Sequence, residues 1–255
     1  MKDGWHAIVR ADEVNVSLNE VEFSMKSRIK LIPTLFSSAL IIAFPLSIVN
    51  LFEHEGGHGV LVVPAILLNG EMPTIGVEGE NPFKNFPAAA ILFILSFPLG
   101  VLADGLVCYL SYSNAKRYRT FANMQQGFLF ILLLALSFIT LKSSLSNLLT
   151  GEDFSFIWNT LGLPFHGNEI LGYVIRAIAF SVFPIYLSLK RSFRLTESLA
   201  ISVGTFIGSY TAGVWLLPLM SGWLMTHFFW LFLIGLPVFG TVALALWRLR
   251  RRGRA

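Results

Sequence analysis

From residue 31 onward, long apolar runs alternate with short polar breaks, and six runs stand out: 31–52, 87–110, 121–141, 170–189, 199–220 and 224–247. Each is near the ~20 residues that a helix needs to cross a ~30 Å hydrocarbon layer. They carry neither the alternation of a half-buried strand nor the polar stripe of a surface helix, as befits helices wrapped in lipid and neighbouring helices. The pattern predicts an all-α polytopic membrane protein with about six transmembrane helices. The break at 59–86 is different in kind. Pro64, Pro73 and Pro82 interrupt it, and Asn69-Gly70, a good type I′ pair, lies between the apolar stretches 61–68 and 74–77. A short β-hairpin after the first span is therefore expected.

Charge orients this framework. Lys26, Arg28 and Lys30 precede the first span, Lys116, Arg117 and Arg119 follow the second, Lys190, Arg191 and Arg194 follow the fourth, and five arginines from Arg248 to Arg254 follow the sixth. The breaks on the opposite side carry Glu71, Glu78, Glu80, Glu152 and Asp153 against Lys84 and Lys142. The positive-inside bias puts both termini in the cytoplasm. This divides the chain into a cytosolic arm at 1–30, a membrane domain at 31–247 and a basic cytosolic tail at 248–255. The compact size suggests a prokaryotic cell membrane.

Composition agrees: the chain is 55% hydrophobic and 13% charged, with a mean hydropathy of +0.67. Its net charge of +4 belongs to the membrane-flanking clusters, which speaks against nucleic acid as a partner. Cys108 is the only cysteine, so an intrachain disulfide and a thiolate metal cage are excluded. Gly204, Gly208 and Ala212 recur every four residues and read as a stripe for close helix packing.

Chemistry enters at His54-Glu55-Gly56-Gly57-His58. Positions i and i+4 share a helical face, so His54 and His58 can present two imidazoles to one zinc ion while Glu55 acts as general base. At this histidine content a chance HExxH is expected roughly once in a few hundred such chains. Two adjacent glycines cost a helix roughly 2 kcal/mol relative to alanine, which implies that something approaches the backbone closely there.

A catalytic zinc usually has three protein ligands. Asp104, Asp153, His166, Glu169 and His227 are the candidates for the third. If the motif lies at the outer end of the first span, Asp104 is about 25 Å down the second and too deep to reach it. Asp153 follows the third span on the motif's own side. Asp104 also invites a partner within the membrane, and Arg176 is the cation nearest in depth, about 16 Å away.

HEGGH near the end of a membrane helix, a following hairpin, a span containing Pro98, and then Asn147-Leu-Leu-Thr-Gly-Glu-Asp153 together resemble the site-2 protease family of intramembrane zinc metalloproteases. The resemblance covers about 52–154, within a metalloprotease core at about 50–155. It implies a membrane-embedded zinc endopeptidase that cleaves membrane-protein or peptide substrates near the outer leaflet. It further implies Asp153 as third ligand and Asn147 as a substrate-positioning group, while the residues themselves leave Asp104 and His166 as alternatives for the third ligand. The hairpin is expected to take substrate as an added strand, since a helix hides its own peptide bonds. Two other functions fit the residues: a non-hydrolytic transporter or scaffold, and an inactive relative that binds metal or peptide without cutting.

Overall fold

The structure is a computed structural model that describes residues 31–70, 87–120, 123–150, 154, 162, 169–190 and 193–252, without the side chains of 169, 216–228 and 252. Helix α1 is Leu31–Asn69, α2 is Pro87–Ala115 followed by a 3₁₀ turn at Lys116–Tyr118, and α3 is Met124–Leu149. Glu169–Ala177 (α4) runs through a π-helical turn, Ile178–Val182, into Phe183–Leu189 (α5). Helix α6 is Leu195–Arg252.

Five helical segments among the described residues are long and apolar enough to cross a membrane: Leu31–Asn69, Pro87–Tyr118, Met124–Leu149, Ile170–Leu189 and Phe229–Arg251. The protein is a helical multi-pass membrane protein. The expected run 199–220 falls in the first arm of α6. That arm follows α1 in parallel, Gly204 lying on Phe36 and Gly208 on Leu40. The second arm runs the other way, Phe232 meeting Gly59 and Gly235 meeting Phe52. The chain therefore reverses direction between Gly213 and Phe229.

Helix α1 departs most from expectation. It does not stop near Phe52; it continues through Pro64 to Asn69, making 39 residues. Residues 61–68, expected as the first hairpin strand, are helical, and no strand occurs among the described residues. Asn69-Gly70 ends the helix, with Gly70 in the left-handed region at φ 76° that commonly caps a helix C-terminus. Packing holds the helix through its proline: Val62, Ala65 and Ile66 are buried against Ala89, Phe229 and Phe232. The second hairpin strand, 74–77, lies outside the described residues, as do the arm at 1–30 and residues 253–255 of the tail.

Helix α3 is also longer than its apolar run, with Lys142 and Asn147 inside its last two turns. Its centre, including Phe130, Leu134 and Phe138, forms the core with Leu35, Ala39 and Ala43 of α1. The stripe of small residues on α6 is packing, as expected: a Cβ at Gly208 would lie 2.8 Å from that of Ala43, and Ala212 is buried. The basic helix ends gather at one end of the bundle. There Arg117 donates to the carbonyls of Leu249 and Arg250, Lys116 stacks on Tyr112, and Tyr112 packs on Phe193.

Candidate functional site

Helices α1, α2 and α3 meet at the HEGGH motif, deep within the bundle. His54 and His58 lie one turn apart on α1, both buried, with ring centroids 4.8 Å apart and planes nearly perpendicular. Their Nε2 atoms converge to 3.2 Å. Each ring is held from behind. His58 Nδ1 is 2.9 Å from the Ser96 carbonyl, which can only accept, so this nitrogen carries the proton. His54 Nδ1 is 2.9 Å from Asp104 Oδ2, and a carboxylate oxygen at that distance favours the proton on Nδ1. Both Nε2 atoms therefore present lone pairs to the same point. Two nitrogens at that distance can share a proton or a cation.

The close approach of α2 and α6 to α1 comes from glycine. A Cβ at Gly57 would lie 2.6 Å from the Leu99 carbonyl oxygen and 2.6 Å from Ala103 Cβ on α2. On the other side of α1, Gly56 lies against the Gly235 backbone, and a Cβ at Gly59 would come within 2.8 Å of the Phe232 carbonyl oxygen. The close approach expected at the paired glycines is thus made by two helices. Gly100 of α2 faces the histidines themselves: a Cβ there would meet His58 Nε2 and lie 2.8 Å from His54 Cε1. Bare backbone leaves room for the two rings.

Asp104 is wholly buried and belongs to the site. Its Oδ1 accepts from Asn50 Nδ2 at 2.8 Å, and Asn50 also donates to Glu53 Oε2 at 3.2 Å. The expectation that Asp104 lies too deep is corrected. Its depth along α2 stands at about 25 Å, but α1 also runs on for about 22 Å beyond His54, so the two residues are level. Asp104 is not placed as a ligand, because it faces Nδ1 and not the converging Nε2 atoms. Nor does it pair with Arg176, since its partners are His54, Asn50 and the Glu53 carboxyl. The motif, expected at the outer edge, lies four turns inside the end of its helix.

Asn147, from the last turn of α3, brings Nδ2 to 3.1 Å from His54 Nε2. Its amide N–H donates to that lone pair and marks the open side of the pair. Glu55 is half-exposed on the same turn of α1 as the histidines. Among the described residues no third histidine, cysteine or carboxylate completes a metal-binding group with His54 and His58. Asp153 and His166 lie outside the described residues, as do the side chains of Glu169 and His227. Asn50, Glu53, Ser96 and Gly100 escaped the sequence reading. Asn50, four residues before His54 in an apolar run, carried a legible signal. Ser96 acts through its carbonyl and carried none.

Comparison with protein-family models, with curated proteins and with solved structures yields no match.

Proposed function

We propose that the protein is a membrane-embedded zinc-dependent endopeptidase of the kind its HEGGH motif resembles. The observation that carries this reading is the convergence of two Nε2 lone pairs at 3.2 Å, each fixed by a hydrogen bond at the opposite ring nitrogen. Metal-ligating histidines are commonly held in this way, by a carboxylate or a backbone carbonyl behind the ring. The residue types suit zinc, with nitrogen ligands on one helical face and a carboxylate from elsewhere. Asp153 is the third ligand in this proposal. Support comes from the exit of α3: Asn147 touches His54, and the helix ends two residues later at Leu149, so the chain leaves beside the site.

When bound by His54, His58 and Asp153, zinc would supply Lewis acidity toward water and the scissile carbonyl. The chain's own groups do the rest. Glu55 accepts the proton of the attacking water and returns it to the departing amine. Asn147 orients the substrate carbonyl from the open side of the histidine pair. Asp104 keeps His54 in the tautomer that turns the Nε2 lone pair toward the site, and the Ser96 carbonyl does the same for His58. The buried position of the motif favours cleavage inside the bilayer over cleavage at its outer edge, with another membrane protein as substrate. Six crossings with both termini in the cytoplasm complete the proposal, supported by the reversal of α6 and the gathering of basic helix ends.

Zinc content and cleavage of a model transmembrane substrate, measured on purified full-length wild type and Glu55→Gln, test the reading. The expected result is one zinc per chain in both and cleavage in wild type alone. Zinc without cleavage in wild type identifies an inactive relative. Absence of zinc from wild type purified without chelator sinks the proposal and favours a transporter or scaffold.

A further inference from the structure

A second polar feature lies apart from the histidine site, between α3, α4 and the first arm of α6. A cavity of about 310 Å³ there is lined by Lys142 and Arg176, with Ser209 and Tyr210 beside them and Phe206 and Val214 among the apolar residues. Both cations belong to helices apolar enough to cross the membrane. Neither forms a direct ion pair among the described residues, although the Asp104 carboxylate acts on Lys142 from across the bundle; Arg176 lies 5.5 Å from the Tyr173 ring. Two like charges sharing one cavity in a low-dielectric layer repel each other, so the arrangement is stable with an anion between them.

Location identifies the anion. Lys142 is about 10 Å from the end of α3 and Arg176 about 10 Å from the start of α4, at the helix ends away from the basic clusters. Long cationic side chains inside a span keep their stems in hydrocarbon, and a charge held there is stabilised by a bound counter-ion. Residues around the cavity face outward: Tyr210 is 58% exposed and Val214 54%. On a bundle in a bilayer, that exposure faces acyl chains. The cavity thus joins a cationic interior to an apolar mouth with a hydroxyl on either helix turn, which matches a phosphate carrying acyl chains.

We infer that this cavity binds the phosphate of an anionic phospholipid, held by Lys142 and Arg176 with hydrogen bonds from Ser209 and Tyr210, its acyl chains lying along Phe206 and Val214. Arg supplies a planar fork and Lys a point charge, a pairing suited to phosphate oxygens. The lipid site is independent of the peptidase reading.

Native mass spectrometry of the full chain released from detergent, after titration with phosphatidylglycerol, phosphatidylcholine or inorganic phosphate, tests it. Wild type is expected to retain phosphatidylglycerol in preference to phosphatidylcholine, and inorganic phosphate should not displace it. Lys142→Gln with Arg176→Gln should weaken retention by about tenfold per cation removed, while Lys142→Arg should preserve it. Equal retention of the two lipids by wild type overturns the inference without reference to any variant. So does displacement by inorganic phosphate, which would mark a free-phosphate site, and so does unchanged retention by a folded double variant.

Discussion

His54 and Asp104 meet at 2.9 Å, the ring's Nδ1 against the carboxylate's Oδ2, with the aspartate wholly buried between α1 and α2. The contact fixes both the rotation of the imidazole and the nitrogen that carries its proton. It also places a residue from the middle of one apolar helix in register with a residue from the middle of another.

Asp104→Asn should lower zinc affinity while preserving the bundle. The amide keeps the volume and can still accept from Asn50, but it no longer enforces Nδ1–H on His54. Loss of such a group behind a ligating histidine typically costs 10–100-fold in metal affinity. Competition with a chromophoric chelator measures it, with circular dichroism as the fold check. Unaltered affinity would remove Asp104 from the site's supporting structure.

Gly100→Ala tests the fit of the two rings against α2. The new methyl would meet His58 Nε2, so zinc content should fall sharply. Gly213→Ala, with nothing within 4 Å of its Cβ position, is the matched control and should change stability by no more than about 1 kcal/mol. If both variants bind zinc equally, the histidines do not depend on this cradle.

At Gly235 the backbone of α6 rests on that of α1, and a Cβ there would lie 2.5 Å from the Phe52 carbonyl oxygen. Neither neighbour is a flexible side-chain end. Gly235→Val should destabilise the protein by at least the ~1–3 kcal/mol typical of overpacking, read from thermal unfolding in detergent. Retention of the wild-type midpoint would contradict the contact.

Asn147→Ala should separate binding from chemistry. The variant leaves both histidines and their supports in place, so zinc content should hold near one per chain. Turnover of a transmembrane substrate should fall by about 10- to 100-fold if Asn147 orients it. Parallel loss of zinc and activity would instead make Asn147 a support for His54.

Glu197, on the first turn of α6 and ahead of its apolar run, supplies a pH test. Burial raises its carboxyl above the ordinary value, opposed by the Arg194 guanidinium. The folded form thus holds the proton more tightly than the unfolded form. Its stabilising contribution is complete below the unfolded-state value near 4.5 and is lost as pH rises through the folded-state value. Wild type should lose more thermal stability over this window than Glu197→Gln. Identical pH profiles would show that the carboxyl is solvated.

The helical framework and the pair of imidazoles were legible because each follows from local pattern: apolar length for the spans, and i, i+4 spacing for the histidines. Asn147 was also found, through the resemblance of its segment. Asp104 was misplaced for a physical reason. Pro64 reads as a breaker in isolation, but inside a bundle its neighbours Val62, Ala65 and Ile66 are buried, and tertiary packing carries the helix through. Ending α1 too early set His54 at the rim and Asp104 beyond reach. The same truncation, applied to α3, left Lys142 in a loop and Arg176 as the cation nearest to Asp104 in depth. Asp153 falls outside the described residues, so its assignment rests on the proposal.

Gly56 and Gly57 bear on when the protein becomes competent. They are the points at which α6 and α2 press on α1, and they lie between the two histidines in the chain. The imidazoles acquire their backing groups, Asp104 and the Ser96 carbonyl, only as α2 docks. During synthesis α1 enters the membrane ahead of α2, so a chain inserted only that far holds the five motif residues without the arrangement that orients them. The orientation of the pair is thus a property of packed helices, set by α2 on one face of α1 and backed by α6 on the other.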